Sequence, residues 1–183
     1  MTVEIVYFVH GTTDDNERNI ATGWGNCTLS DRGLEETRKL SLQIKDVQFY
    51  VVFCSDLKRA IDSANRIWDS QTKVIQDKRL RECNYGDLTG INISELREIM
   101  SDHINNPFPN GESYKEVERR IKHFLEDIKQ KYYGKKVAIL AHQAPQLALE
   151  VLLKNKSWIQ AIQEDWRRKQ PKEWKPGWIY FLS

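Results

Sequence analysis

The sequence predicts an α/β protein, a three-layer α/β/α sandwich around a mainly parallel sheet, with room for an antiparallel strand at one edge. Three short and nearly continuous apolar runs, VEIVYFV at 3–9, FYVVFC at 49–54 and VAILA at 137–141, have the composition of strands buried on both faces. Helically spaced stretches separate them, and an alternation of strands and helices implies parallel pairing. Each run also ends at polar residues, His10, Ser55-Asp56 and His142. Ligands of such sheets sit beyond the carboxyl ends of the strands, so these three loops share one rim.

The remaining elements follow in order. After His10-Gly11, Leu29–Gly33 opens a helix in which Leu34, Leu40, Leu42 and Ile44 alternate with charges, and Ser30 supplies an N-cap. Ser55-Asp56 are capping residues for a second helix reaching about Trp68. A short strand at Val74-Ile75 leads into a loop marked by Asn84, Gly86, Asp87 and Gly90. Pro107, Pro109, Asn110 and Gly111 interrupt the chain before a long helix from Ser113 to about Tyr132, with Val117, Ile121, Phe124, Leu125 and Ile128 on one face. A helix over 145–153 and an edge strand over 177–182 complete a single domain spanning 1–183.

Composition narrows the function classes. A chain of 183 residues with 40% hydrophobic and 30% charged residues is ordinary globular material. A net charge of +2 excludes a general nucleic-acid or membrane-surface binder, so any anion site must be local. No apolar run reaches the ~18–20 residues of a membrane span, and the N-terminus lacks a signal-peptide pattern, which makes the cytoplasm the expected compartment. Cys27, Cys54 and Cys83 are widely spaced and indicate neither disulfides nor zinc. Four tryptophans between Trp158 and Trp178 alternate with basic residues. They could stack on nucleic acid, but closing the core and roofing a site is the preferred reading.

Two histidines at one rim, with arginine and glutamate in neighbouring loops, have the makings of covalent phosphoryl transfer, because a neutral imidazole is a competent nucleophile. The string from Phe8 to Asn16, FVHGTTDDN, resembles the R-H-G-x-T-x-x-N signature of the histidine phosphatase superfamily, the phosphoglycerate mutase-like proteins. The resemblance continues through Gly23-Trp24 with Leu29-Ser30 and Gly33, then SDLKRA at 55–60, LRECNYG at 80–86, PNGES at 109–113 and Ala141-His142.

That resemblance implies that His10 accepts the phosphoryl group and that Arg59 and His142 clamp its oxygens. Glu82 would protonate the leaving oxygen and later activate water, with Asp14 or Asp15 as rival acids. Asn16, Thr13, Gly23, Arg81 and Gln143 would contact substrate, and neither metal nor cofactor is implied. Plainer readings stand beside these: His142 as a backbone-bonded histidine, Glu82 as the ion-pair partner of Arg79 or Arg81, and Arg59 on a helix surface. His103, His123 and the charged helix over 113–132 read as solvated. Two positions depart from the family pattern: Val9 stands where arginine is expected, and Gln143 where glycine is frequent. Arg18 or Arg81 is expected to supply the missing charge.

The expected function is a metal-independent phosphomonoesterase that acts on a small phosphorylated metabolite through a phosphohistidine. Nucleic-acid and membrane partners are not expected. The rivals are mutase-type phosphoryl transfer, which the short chain disfavours, and non-catalytic phosphate binding.

Overall fold

The computed structural model describes residues 2–168, 174 and 177–183. Its strands β1 (Val3–Val9), β2 (Val51–Cys54), β3 (Val74–Gln76), β4 (Lys136–Ala141) and β5 (Trp178–Leu182) form one sheet in the order β3-β2-β4-β1-β5. The first four are parallel, and β5 runs antiparallel to β1 at the edge, pairing Val3 with Leu182 and Tyr7 with Trp178. The expected fold class holds.

Seven helices complete the described chain: α1 (Asp14–Glu17), α2 (Asp31–Ile44), α3 (Lys58–Ile67), α4 (Ile93–Ile99), α5 (Tyr114–Lys131), α6 (Gln143–Lys154) and α7 (Trp158–Gln163). Because side chains alternate across a strand, each central strand feeds two cores. Ile5, Tyr7, Phe53, Val137 and Ile139 pack with Val117, Ile121 and Phe124 of α5 and Leu147 of α6. Phe8, Val52, Cys54, Ala138 and Leu140 pack with Leu40 of α2 and Ala64 and Ile67 of α3. This is why those strands read as unbroken apolar runs.

Caps explain where the helices begin. Ser30 Oγ accepts from the Gly33 amide, as expected, and Ser113 forms a capping box with Glu116. The second long helix starts at Lys58 rather than directly after Asp56, because the Asp56 carboxylate is held by Arg81 and does not cap. The helix after β4 starts at Gln143, earlier than expected. Pro145 is tolerated there because the first turn of a helix has amides without intrahelical partners. Helices α4 and α7 were not anticipated, for at seven and six residues they show no periodicity. Among the described residues no helix is long and apolar enough to cross a membrane. Cys54 and Cys83 are buried free thiols, and burial pushes Cys54 up to about 11.

The loop after β1 lies directly on the first turn of α2. A Cβ on Gly33 would fall 1.9 Å from the Thr12 carbonyl oxygen, so only glycine permits this approach. Gly33→Ala is therefore expected to destabilise the fold by about 1–3 kcal/mol, with loss of site geometry as the loop shifts. Denaturant unfolding together with a phosphate-binding assay checks it.

Candidate active site

β1 delivers His10 to the rim. Its Nδ1 lies 2.7 Å from the Gly11 carbonyl, which can only accept, so Nδ1 carries the proton. Nε2 is then the lone-pair nitrogen, and it accepts from Arg59 Nε at 3.3 Å. Burial first, and then the Arg59 charge, push the His10 imidazole down to about 3. A neutral ring with an unprotonated Nε2 is the nucleophilic form. The following loop is anchored by Glu36, whose carboxylate accepts from the Thr12 amide (2.8 Å) and hydroxyl (3.0 Å).

Arg59, in the first turn of α3, is only 4% exposed. Its Nη2 donates to the Gly23 carbonyl (2.7 Å) and Nη1 to the Gly25 carbonyl (3.2 Å), and among the described residues no carboxylate pairs with it. Gly23 adopts φ +51°, which turns its carbonyl toward the guanidinium.

His142 follows β4, its ring centroid 5.0 Å from that of His10. Burial, then Arg59 and His10, hold it well below its ordinary value. Both ring nitrogens are buried without a hydrogen-bond partner. Its backbone, by contrast, is fixed: the fully buried Tyr7 hydroxyl donates to the His142 carbonyl (2.6 Å) and accepts from its amide (3.0 Å). Glu82 faces the N-terminus of α6. Oε1 accepts from the amides of Cys83 and Ala144 (both 2.9 Å) and Oε2 from that of Gln143 (3.0 Å). The Glu82 carbonyl is held by Trp24 Nε1 (2.7 Å) and Arg120 Nη2 (2.9 Å), and Arg120 is fixed in turn by Glu112.

His10, Arg59, Glu82, His142, Asn16, Gly23 and Gln143 thus line one cavity of about 230 Å³. Two other expected contacts do not. Thr13 is fully buried, and its hydroxyl caps α1 by accepting from the Asn16 amide. Arg81 is held bidentately by Asp56 (2.7 and 2.6 Å) and stacks over Trp24. Arg18 pairs with Asp15, so neither candidate guanidinium turns to the space beside Val9. Asp14 and Asp15, the rival acids, bond Thr28, Thr22 and Arg18 and line a separate surface hollow. Among the described residues no three His, Cys, Asp or Glu side chains are grouped to hold a metal ion.

Residues 6–170 match the family described as Histidine phosphatase superfamily (branch 1). The chain belongs to that superfamily. A 2,3-bisphosphoglycerate-dependent phosphoglycerate mutase of Allorhizobium ampelinum is 34% identical over 158 residues, covering 78% of this chain and 75% of that protein. In fold, the α-ribazole phosphatase of Shigella flexneri superposes with a TM-score of 0.77 at 23% identity, over 88% of this chain and 84% of the other. A mycobacterial glucosyl-3-phosphoglycerate phosphatase gives 0.79 at 22% identity, over 89% and 84%.

Sequence reasoning missed the groups that position the cavity residues of this histidine phosphatase superfamily member. Tyr7 sits in a strand where any large apolar residue would read the same. Arg120 lies on the helix taken as solvated, yet its side chain is only 15% exposed. Glu112 was inside a recognised block, but its role is structural, accepting from the Asn84 amide (3.0 Å).

The depressed imidazoles give stability a defined pH dependence. An unfolded histidine takes up its proton near pH 6.5 and folded His10 only near 3, so between these values the unfolded chain binds more protons. Stability contributed this way is present above pH 6.5 and is lost as pH falls toward 3, by at most about 1.4 kcal/mol per pH unit. Urea unfolding at pH 7.5 and 4.5 should show a smaller loss for His10→Gln than for the wild type. Equal losses would remove the neutral-imidazole assignment.

Proposed function

We propose that this protein is a metal-independent phosphomonoesterase that hydrolyses a small phosphate ester through a phosphohistidine on His10. The observation that carries this reading is the Arg59 guanidinium, buried beside the lone pair of a neutral imidazole with no carboxylate paired to it among the described residues. An isolated buried charge is costly, and a phosphoryl dianion is the counterion that this arrangement suits.

In the first step His10 Nε2 attacks phosphorus while the P–O ester bond breaks. Arg59 and His142 meet the oxygens on which charge accumulates. His142 is neutral when the site is empty, and an arriving dianion favours its protonated, donating form. The leaving alkoxide needs a proton. Glu82 accepts three backbone bonds in this state, so the proton it delivers is one brought by the monoprotonated ester. In the second step Glu82 takes a proton from water, the water oxygen attacks phosphorus, and the N–P bond breaks to return neutral His10.

Mutase-type transfer is the second reading, favoured by the name of the 34% identical relative. It differs in the acceptor, a hydroxyl of a second organic molecule in place of water. The ratio of inorganic phosphate released to ester isomerised separates the two.

Three outcomes are expected. His10→Ala should abolish hydrolysis of p-nitrophenyl phosphate in the presence of chelator while leaving the circular dichroism spectrum unchanged, and undiminished turnover in this variant would refute the nucleophile. Phosphate or vanadate should bind within hydrogen-bond reach of His10, Arg59 and His142 in crystals. Glu82→Gln should slow alkyl phosphates by ~10²- to 10⁴-fold. Aryl esters, whose leaving groups need little protonation, should instead accumulate phosphohistidine, detectable by acid-labile phosphate trapping. Equal slowing of both ester types with no trapped intermediate would show that Glu82 is not the acid.

A further inference from the structure

The parallel ladder between β1 and β4 ends where the His10 amide donates to the Ala141 carbonyl (3.2 Å). Beyond that point the chain after β1 turns away over α2, and His142 no longer faces a neighbouring strand. Both of its peptide groups are met instead by Tyr7, which lies opposite Ile139 and so stands three residues short of His142. A strand rises about 3.3 Å per residue, so only a long side chain leaning along β1 covers that span. Tyr7 covers it as a fully buried residue that does not itself line the cavity.

A phenylalanine would fill the same space in the core. The hydroxyl is an additional buried polar group, tolerated only where it is hydrogen-bonded, and both of its bonds go to one residue. It donates to the His142 carbonyl at 2.6 Å and accepts from the His142 amide at 3.0 Å. Glu82 takes the next two amides, of Gln143 and Ala144. The backbone at His142 is therefore fixed, whereas its imidazole has no hydrogen bond at Nδ1 or Nε2 among the described residues. No polar contact aims the ring in the empty site, so its direction follows from the Cα–Cβ bond that the backbone sets and from the packing around it. Closing the end of β4 would account for the two bonds alone. Their placement on the rim residue whose ring is otherwise unanchored points to a second role.

We propose that Tyr7 is a positioning residue, whose hydroxyl holds both peptide groups of His142 and thereby sets the direction in which the imidazole meets the phosphoryl oxygens. This rests on the assignment of the His10 cavity to phosphoryl transfer.

Tyr7→Phe removes one oxygen and keeps the ring in the core. Binding of orthovanadate, which mimics the phosphoryl group in transfer, is followed by calorimetry for the wild type, Tyr7→Phe, His142→Ala and the double variant. All are assayed in sucrose, which favours compact states, so that lost stability does not mask affinity. Tyr7→Phe is expected to weaken vanadate binding by about tenfold or more. In the His142→Ala background the same change should have little further effect, because the hydroxyl then has no imidazole to aim. Tyr180→Phe is the control: it is a buried tyrosine of the same core whose hydroxyl bonds Glu150 (2.7 Å), and neither residue lines the cavity. It should lower the unfolding midpoint and leave vanadate affinity unchanged.

Unchanged affinity in Tyr7→Phe would overturn the proposal. So would an equal loss in the His142→Ala background, or a loss shared by Tyr180→Phe, since either marks a general loosening of the core. Binding is read without turnover. The expected vanadate pattern in a protein that releases no phosphate would remove the hydrolase reading and keep the role of Tyr7, whereas metal-free hydrolysis together with a vanadate affinity indifferent to Tyr7→Phe would do the reverse.

Discussion

Placing Arg59 at 4% exposure with no carboxylate paired to it among the described residues costs several kcal/mol, and the architecture around the site serves to hold that charge in place. Two backbone carbonyls, of Gly23 and Gly25, take its terminal nitrogens, and the His10 lone pair takes Nε. Carbonyls and a neutral imidazole offset desolvation without neutralising the charge, as a carboxylate would. The guanidinium therefore keeps its full attraction for an anion, and in a site of low dielectric that attraction is stronger than at a surface. The same contact fixes the chemistry of His10. With Arg59 donating to Nε2 and the Gly11 carbonyl requiring the proton at Nδ1, one tautomer is selected and the other is excluded.

The rest of the fold sets three loops at the carboxyl edge of β1, β2 and β4 at the spacing this arrangement needs. The backbone of His142 is pinned from the neighbouring strand, since Tyr7 uses both its donor and an acceptor on a single peptide segment. Glu82 is fixed from two sides, its carboxylate by the first amides of α6 and its carbonyl by Trp24 and Arg120. Each of these contacts joins residues at least 38 positions apart. The site exists only when the sheet and both helical layers are assembled, and the close approach of Gly33 to Thr12 ties the loop after His10 to α2.

The sheet was legible because strands covered on both faces must be apolar throughout, and the long helices because their caps and spacing are local. The cavity residues were legible for a different reason: His10, Arg59, Glu82 and His142 lie next to strand ends or inside motifs whose residue types the chemistry dictates. Thr13 and Arg81 show where that logic stops. Both fall within recognised blocks, but a threonine hydroxyl is equally suited to cap a helix, and an arginine two loops from an aspartate is drawn to it. Tyr7, Arg120 and Arg167 act through tertiary contacts that leave no local pattern. The tryptophan-rich tail was foreseen as a roof, and Trp166 and Trp174 do line the cavity, whereas its basic residues at 169, 172 and 175 lie outside the described residues.

The distribution of protons in the empty site then constrains the reaction. Burial and the Arg59 charge hold His10 and His142 well below the ordinary imidazole range, and the carboxylate of Glu82 accepts from three backbone amides. The permanent positive charge comes from arginine, whose guanidinium stays charged in proteins. In the proposed reaction charge stabilisation and proton supply are separated: the guanidinium serves the phosphoryl oxygens, while the proton for the leaving group enters with the ester itself. An ester bound as its monoanion can pass that proton to Glu82 as its oxygens settle against Arg59, because the arginine favours the dianionic phosphoryl group and the displaced proton has a carboxylate nearby to receive it. In that proposed reaction the contact that makes the phosphoryl group dianionic also arms the acid, with no need of a histidine that is charged before the substrate arrives.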